Sequence, residues 1–172
     1  GLPKLMALEL FKPFIFAQLF KGPWGAGSVM WDVKTRFGGS WPNNYEGSFK
    51  GPMTIRNALG ASRNIPPIKA YFLNGDENAS LDFLSTMGFS YLKERADELN
   101  EGKAEEDKFY YGYPLAIGAG EVRPLDMASG YAVFSNGGKY LEPTPILEIT
   151  TVEGEVIEKL DEGRGKEVLD PQ

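Results

Sequence analysis

The feature of this sequence that most constrains its fold is the stretch FKPFIFAQLF at residues 11–20. Its apolar side chains cover most of the circumference of a helix, and a helix that is apolar nearly all round is buried. Pro13 is compatible only with a first helical turn, because a proline farther along removes a backbone hydrogen bond. The helix therefore begins within a few residues before Pro13, which places Glu9 and Lys12 on one face of its first turn.

The residue types that are missing exclude several kinds of site. The 172 residues, a usual length for one domain, contain no histidine and no cysteine. Disulfides, thiolate nucleophiles, zinc clusters and the Ser-His-Asp triad are therefore ruled out. We expect neither a metal nor a cofactor. Serine chemistry with a lysine or a carboxylate as the base remains open.

The charge balance and the apolar stretches limit the partners. Eighteen basic and 24 acidic residues give a net charge of −6, which argues against nucleic acid as a partner. The longest apolar stretch is interrupted by Lys12 and Pro13 and is shorter than the about 20 residues that cross a bilayer. The first ten residues also lack the long apolar run of a secretory signal. We therefore predict no membrane segment in this chain.

Periodicity and turn residues predict the remaining elements. Residues 22–51 form long loops with a short strand near 29–33. Further helices are expected to begin at the following positions: Pro52, Pro66 or Pro67, Leu81 after a cap at Ser80, Tyr91, and Pro124, the last with Leu125, Ala128 and Ala132 on one face. A solvated linker covers 100–107. A β-hairpin with a Glu153-Gly154 turn joins 146–152 to 155–160.

Three polar residues are candidates for chemistry, each with a structural alternative. Lys12 could act as a base, because burial lowers the pKa of a lysine; alternatively its side chain extends to solvent. Ser62 and Asn64, spaced S-x-N between two helices, could transfer a proton and orient a peptide carbonyl. Alternatively, Ser62 ends one helix and Asn64 caps the next.

Other motifs give weaker indications. The run LAIGAG at 115–120 lacks the pattern of a phosphate loop, and close packing or a tight turn accounts for its glycines. The tyrosines at 110, 111 and 113 could stack on a ligand, but packing is favoured. Trp24, Trp31 and Trp41 leave a carbohydrate-binding module as a further alternative.

Three segments in order resemble the transpeptidase domain of class A, or bifunctional, penicillin-binding proteins. They are FKPF at 11–14, PNNYEGSFKGPMTIRNALGASRNIP at 42–66 and LAIGAGEVRPLDMASGYAVFSNGG at 115–138. The resemblance implies an α+β fold: an incomplete serine β-lactamase/DD-transpeptidase-like domain, mainly its helical half plus a β-hairpin. We expect an atypical N-terminal segment at 1–10 and a partial transpeptidase domain at 11–172. Such a fragment would expose apolar surface on its helices.

The resemblance also implies roles for particular residues. In that family the serine of an S-x-x-K box is the nucleophile and its lysine the base; Lys12 matches the lysine, and Glu9 stands where the serine is expected. Ser62 and Asn64 match the second box, S-x-N, in which the serine relays protons and the asparagine holds substrate. The third box, K-T-G, is not found here, since the KTR at 34–36 lies in the wrong order and lacks the glycine.

The activity implied for the parent protein is peptidoglycan cross-linking through a serine acyl-enzyme. Its partners would be D-Ala-D-Ala stem peptides and β-lactams, at the bacterial cell envelope on the extracytoplasmic side of the inner membrane. We expect this chain to be inactive, because Glu9 replaces the nucleophilic serine and K-T-G is absent. Glu9 has no hydroxyl and can pair with Lys12 at i, i+3, which keeps the lysine protonated. The alternative is a non-catalytic module that binds peptidoglycan peptides or proteins through the S-x-N cleft.

Overall fold

A computed structural model describes residues 5–6, 9–161 and 163–170. Most of the segment predicted to be atypical, residues 1–4 and 7–8, lies outside the described residues. The helices are α1 (Lys12–Phe20), α2 (Ile55–Gly60), α3 (Ile65–Leu73), α4 (Glu77–Thr86), α5 (Ser90–Asn100) and α6 (Pro124–Ser135). The strands are β1 (Leu5–Met6), β2 (Val29–Asp32), β3 (Gly51–Thr54), β4 (Glu121–Val122), β5 (Lys139–Tyr140), β6 (Glu148–Thr150), β7 (Val156–Lys159) and β8 (Lys166–Glu167).

Helix α1 lies at the centre of the fold, as its sequence predicts. It begins at Lys12 with Pro13 in its first turn, and its apolar side chains are buried. The Phe14 ring packs against the rings of Phe89, Tyr131 and Phe134 at centroid distances of 4.9, 5.0 and 5.2 Å. Rings from α6 and from the start of α5 therefore cover one side of α1, and α3 and α4 contact other parts of it.

Among the described residues, the strands form four separate antiparallel pairs, β1–β4, β2–β3, β5–β8 and β6–β7. The predicted strand near 29–33 is confirmed as β2, which pairs with β3. The predicted hairpin is confirmed as β6–β7, with Gly154 at a φ of 90° in its turn. Helices and small sheets together make a mixed α+β fold.

The prediction that Pro52 opens a helix is wrong. Pro52 lies in β3 opposite Trp31, and the helix starts only at Ile55. Thr54 caps it, because its hydroxyl accepts the backbone N–H of Asn57 at 3.2 Å. The pairing partner of β3 lies some twenty residues earlier in the chain, and local periodicity does not contain that information.

The predicted cap at Ser80 is also wrong. Helix α4 begins four residues earlier than predicted, at Glu77, where the Asp76 carboxylate accepts the backbone N–H of Ala79 at 2.8 Å. Ser80 lies inside the helix and is buried, and its hydroxyl has no hydrogen-bond partner among the described residues. An aspartate four residues ahead of the predicted cap was the better signal, because its side chain reaches the exposed N–H groups of the first turn.

Helix α6 starts at Pro124 as predicted, but the apolar face that its sequence suggests is not the buried one. Leu125 and Ala128 are exposed, whereas Asp126, Gly130 and Val133 are buried. Gly130 lets this side of the helix approach the core, since a Cβ there would lie 2.6 Å from the Phe89 ring. A glycine adds nothing to an apolar pattern, so sequence periodicity does not show that this face turns inward.

Large apolar side chains are exposed on the helices, as expected. Phe72, Leu73 and Leu125 each have about half of their surface exposed, at 52, 53 and 49%. None of the helices within the described residues is long and apolar enough to cross a membrane.

Substitution of Gly130 tests how closely α6 packs on Phe89. In Gly130→Ala the added methyl overpacks the ring, which costs about 1–3 kcal/mol against a helix-propensity gain of about 1 kcal/mol. Gly60→Ala in α2 is the matched control, because nothing lies within 4 Å of its Cβ position. Denaturant unfolding should show Gly130→Ala less stable than Gly60→Ala by at least about 1 kcal/mol. Equal stability would contradict the close approach of α6 to Phe89.

Candidate active site around Lys12

The start of α1 places a lysine ammonium inside the protein. Lys12 is 1% exposed, so the interpretation that its side chain extends to solvent is wrong. Its Nζ donates to the Ser62 carbonyl at 2.8 Å, to Asn64 Oδ1 at 2.7 Å and to Ser62 Oγ at 3.1 Å. It also donates to a carboxylate oxygen of Glu9. The structure thus brings all four predicted site residues together around one nitrogen atom.

Glu9 and Ser62 meet in front of the lysine. The Ser62 hydroxyl donates to the same Glu9 oxygen that accepts from Lys12. Both residues have positive φ, 67° for Glu9 and 49° for Ser62, and among the described residues no other non-glycine residue does. Residues held in this sparsely populated region cluster at functional sites, where the surrounding structure over-determines them. The backbone N–H of Glu9 donates to Ile117 O at 3.2 Å, which helps to hold the turn.

The S-x-N loop joins α2 to α3 and does not serve as a side-chain cap. Asn64 occupies the N-cap position of α3, yet its side chain makes no capping hydrogen bond. Its Oδ1 instead accepts from Lys12, and its Nδ2 donates to Asn43 O at 2.9 Å. The Ser62 hydroxyl likewise points to Glu9 and Lys12. The structural alternative for these two side chains, that helix-end hydrogen bonds account for them, is therefore wrong.

A buried ion pair under the loop holds it in place, and sequence reasoning missed it. Arg63, the middle residue of S-x-N, is 1% exposed; its Nε lies 2.8 Å from Oδ2 of Asp32, which is fully buried in β2. Its Nη1 reaches Glu46 at 2.6 Å. Asn44 links this pair to the site, since its Nδ2 donates to Asp32 at 2.8 Å and its Oδ1 accepts the Asn64 N–H at 2.7 Å. The available signals were a charged residue inside S-x-N and one acid in an otherwise apolar strand.

Burial and charge shift the pKa values of the two ionisable residues at the site. Burial alone would raise the pKa of Glu9, but hydrogen bonds from Lys12 and Ser62 and the lysine charge outweigh it and hold the pKa below its usual value. Burial lowers the pKa of Lys12; Glu9 opposes this shift, and the positive charge of Arg63 adds to it. The Glu9 carboxylate is therefore a weaker base than an ordinary glutamate.

The remaining candidates from the sequence do not join this site. Trp24 packs against the core, whereas Trp31 and Trp41 are exposed at 57 and 52%. The tyrosines at 111 and 113 also pack against the core. In LAIGAG, Gly118 adopts the left-handed conformation after a short 3-10 turn, and Gly120 packs against the Leu92 side chain. No cluster of metal ligands is present in the described part of the chain.

Comparison with known proteins matches residues 29–171 to the penicillin binding protein transpeptidase domain. The matched region includes Ser62 and Asn64 and begins after Lys12. The chain is 32% identical over 163 residues to penicillin-binding protein 1A from Haemophilus influenzae and 28% identical over 153 residues to that from Pseudomonas aeruginosa. These alignments cover 92 and 86% of this chain but 16 and 17% of the relatives. The chain thus spans about a sixth of the length of the curated relatives that it matches.

Solved structures agree with this match. The crystal structure of penicillin-binding protein 1A from Haemophilus influenzae has a TM-score of 0.68 at 30% identity, over 92% of this chain and 22% of that one. The penicillin-binding protein PonA1 from Mycobacterium tuberculosis has a TM-score of 0.79 at 21% identity, over 98 and 44% of the two chains, which shows the fold. The architecture is therefore a partial α+β DD-transpeptidase fold. Since the family match covers most of its length, the chain belongs to the penicillin-binding protein transpeptidase domain family.

Proposed function

We propose that this chain supplies the lysine and the S-x-N part of a peptidoglycan transpeptidase site and that it does not itself form a serine acyl-enzyme. In the parent activity, a serine oxygen bonds to the carbonyl carbon of a D-Ala-D-Ala stem peptide. The amide bond to the terminal D-Ala breaks, and its nitrogen leaves with a proton. β-Lactams react in the same way through their ring amide. The corresponding location is the bacterial cell envelope, on the extracytoplasmic side of the inner membrane.

The position of the Glu9 carboxylate is the observation that carries the proposal. It lies within hydrogen-bond reach of both Lys12 and Ser62, in front of the lysine where an S-x-x-K serine would have to stand. A carboxylate there offers no hydroxyl to acylate. Attack by the carboxylate on an amide would create a strained anhydride, and nothing in the surroundings of Glu9 favours one.

The hydrogen bonds of Lys12 support a protonated ammonium. A lysine ammonium has three N–H donors and no acceptor, and Nζ here faces only oxygen atoms, from Glu9, Ser62 and Asn64. Burial lowers the pKa of Lys12, but the adjacent carboxylate favours the charged form. A protonated ammonium has no lone pair and is unable to take a proton from a nucleophile. In the proposed function, this chain therefore lacks both the base and the nucleophile of the parent mechanism.

Labelling with a fluorescent penicillin tests the proposed inactivity. The native chain should show no covalent label after denaturing electrophoresis, because residue 9 has no hydroxyl and Lys12 is protonated. A heat-denatured sample sets the background. Covalent labelling of the native chain above this background would overturn the proposal.

Restoring a hydroxyl tests whether Glu9 is the residue that blocks acylation. In Glu9→Ser the carboxylate is removed and a hydroxyl stands three residues before Lys12. We expect covalent labelling at least about tenfold above that of the unaltered chain, with the mass increase of one penicillin. Glu9→Ala is the matched control, since it removes the carboxylate without adding a nucleophile, and it should remain unlabelled. Covalent label on both variants to the same extent would contradict the role assigned to position 9.

The pH dependence of stability tests the charge pair. Folding lowers the pKa of Glu9 from 4.5, so its charged form stabilises the fold above about that pH and this contribution is lost as the pH falls through the lowered value. Glu9→Gln should cost about 1 kcal/mol at pH 7, a figure reduced because the Glu9 side chain is half exposed, and almost nothing once the pH is well below the lowered pKa of Glu9. Glu106→Gln, an exposed glutamate without an ion pair in the described residues, is the control. A pH-independent difference in denaturant unfolding would contradict the pairing.

The alternative function, binding of stem peptides without reaction, gives a different result in a titration. If the S-x-N cleft binds a D-Ala-D-Ala peptide, calorimetry should show saturable binding. Asn64→Ala should then weaken binding about fivefold, as loss of one hydrogen bond of about 1 kcal/mol predicts. The absence of saturable binding would exclude this alternative, and the prediction of no acyl-enzyme would stand independently.

A further inference from the structure

Charge is strongly segregated along this chain. Residues 33–74 contain six basic residues and a single acidic one, Glu46, whereas residues 75–172 contain nine basic and 21 acidic residues. A chain of overall charge −6 therefore carries a positive segment and a strongly negative one. Segregation of this kind is a sign of a surface that attracts an oppositely charged partner.

The positive segment forms part of a groove with stacked aromatic rings. The groove residues are Arg36, Phe37, Gly38, Lys69, Phe72 and Leu73, around a cavity of about 520 Å³. The Phe37 and Phe72 rings are parallel within 7° at 5.5 Å, and half of Phe72 is exposed. Arg36 lines the groove, and Lys34 lies two residues before it; both are exposed and make no ion pair within the described residues. The Lys34 ammonium lies 5.6 Å from the centre of the exposed Trp41 ring. We call this surface the aromatic groove; it combines apolar area with positive charge that has no acidic partner among the described residues.

The negative segment contains the β6–β7 hairpin, which has complementary properties. All seven of its strand residues are exposed, and Val152 in its turn and Ile157 in β7 are 99 and 66% exposed. A two-stranded hairpin alone is marginally stable in water and needs a covering surface. Glu153, Glu155 and Glu158 make no ion pair within the part of the chain described here. The hairpin therefore presents apolar side chains together with unpaired carboxylates.

We propose that the β6–β7 hairpin of one copy of this chain docks in the aromatic groove of a second copy. The apolar hairpin residues would cover Phe37, Phe72 and Leu73, and the hairpin carboxylates would face Lys34 and Arg36. The hairpin and the groove are different surfaces of one chain; if two copies are related by a two-fold axis, the contact is made twice. A contact between one short hairpin and one small groove, with charges at its edge, is weak, transient and dependent on salt.

Light scattering and sedimentation equilibrium of the full chain test the proposal. We expect concentration-dependent self-association at low ionic strength, weakened at least about tenfold in 0.5 M salt as the charges are screened. A chain that remains monomeric at every concentration overturns the proposal. Association that is independent of salt overturns it as well.

Charge reversal on each surface tests the docking directly. The groove variant Lys34→Glu with Arg36→Glu, and the hairpin variant Glu155→Lys with Glu158→Lys, should each be monomeric, because like charges then face each other. Mixed in equal amounts, the two variants should associate again, since each reversed surface meets its complement. This recovery also shows that both variants are folded. Loss of association without recovery in the mixture overturns the proposal.

A control separates the docking contact from overall charge. Glu101→Lys with Glu106→Lys changes the net charge as much as the hairpin variant does, at two exposed positions in the linker before residue 108. It should associate like the unaltered chain. If it is monomeric too, overall charge and not the hairpin controls association, and the proposal fails.

Discussion

The buried ammonium of Lys12 is the interaction on which the candidate site depends. A charged nitrogen inside a protein is costly unless oxygen atoms replace its water. Here those oxygens come from Glu9 just before α1 and from Ser62 and Asn64 between α2 and α3. The requirement to satisfy one ammonium therefore joins two parts of the chain, residues 9–12 and 62–64, that are far apart in sequence.

The loop that supplies two of these oxygens has a buried support of its own. Arg63 turns inward between Ser62 and Asn64 and pairs with Asp32. Removing Arg63 would leave the fully buried Asp32 carboxylate without its ion-pair partner, which is far costlier than losing an exposed salt bridge. The site thus consists of two layers of charge: the Arg63–Asp32 pair positions the loop, and the loop positions the oxygens around Lys12. The positive φ of Ser62 is the backbone strain that this arrangement requires.

Glu9 shares the site with Ser62 and Asn64, and in the proposed function it changes the chemistry of that site. A carboxylate stabilises the Lys12 ammonium more strongly than a serine hydroxyl would, because it brings a full negative charge to it. In the proposed function, the same interaction holds the lysine as an acid, which is the opposite of what a serine nucleophile requires of it.

Some of this could be predicted from local sequence, and the remainder could not. The central helix, its start at Lys12, the S-x-N loop and the hairpin follow from patterns within a few turns of chain, because burial and turn chemistry act locally. The Pro52 strand, the Asp76 cap and the inward face of α6 did not follow, since β2, a competing carboxylate and the Phe89 ring decided them. By itself the sequence determined which groups could do chemistry: a lysine, a serine, an asparagine and a glutamate, with no histidine or cysteine. Only the tertiary structure decided that the other three side chains meet at the lysine nitrogen. The oxygens that replace the water around Lys12 come mostly from residues 50 and 52 positions later in the chain.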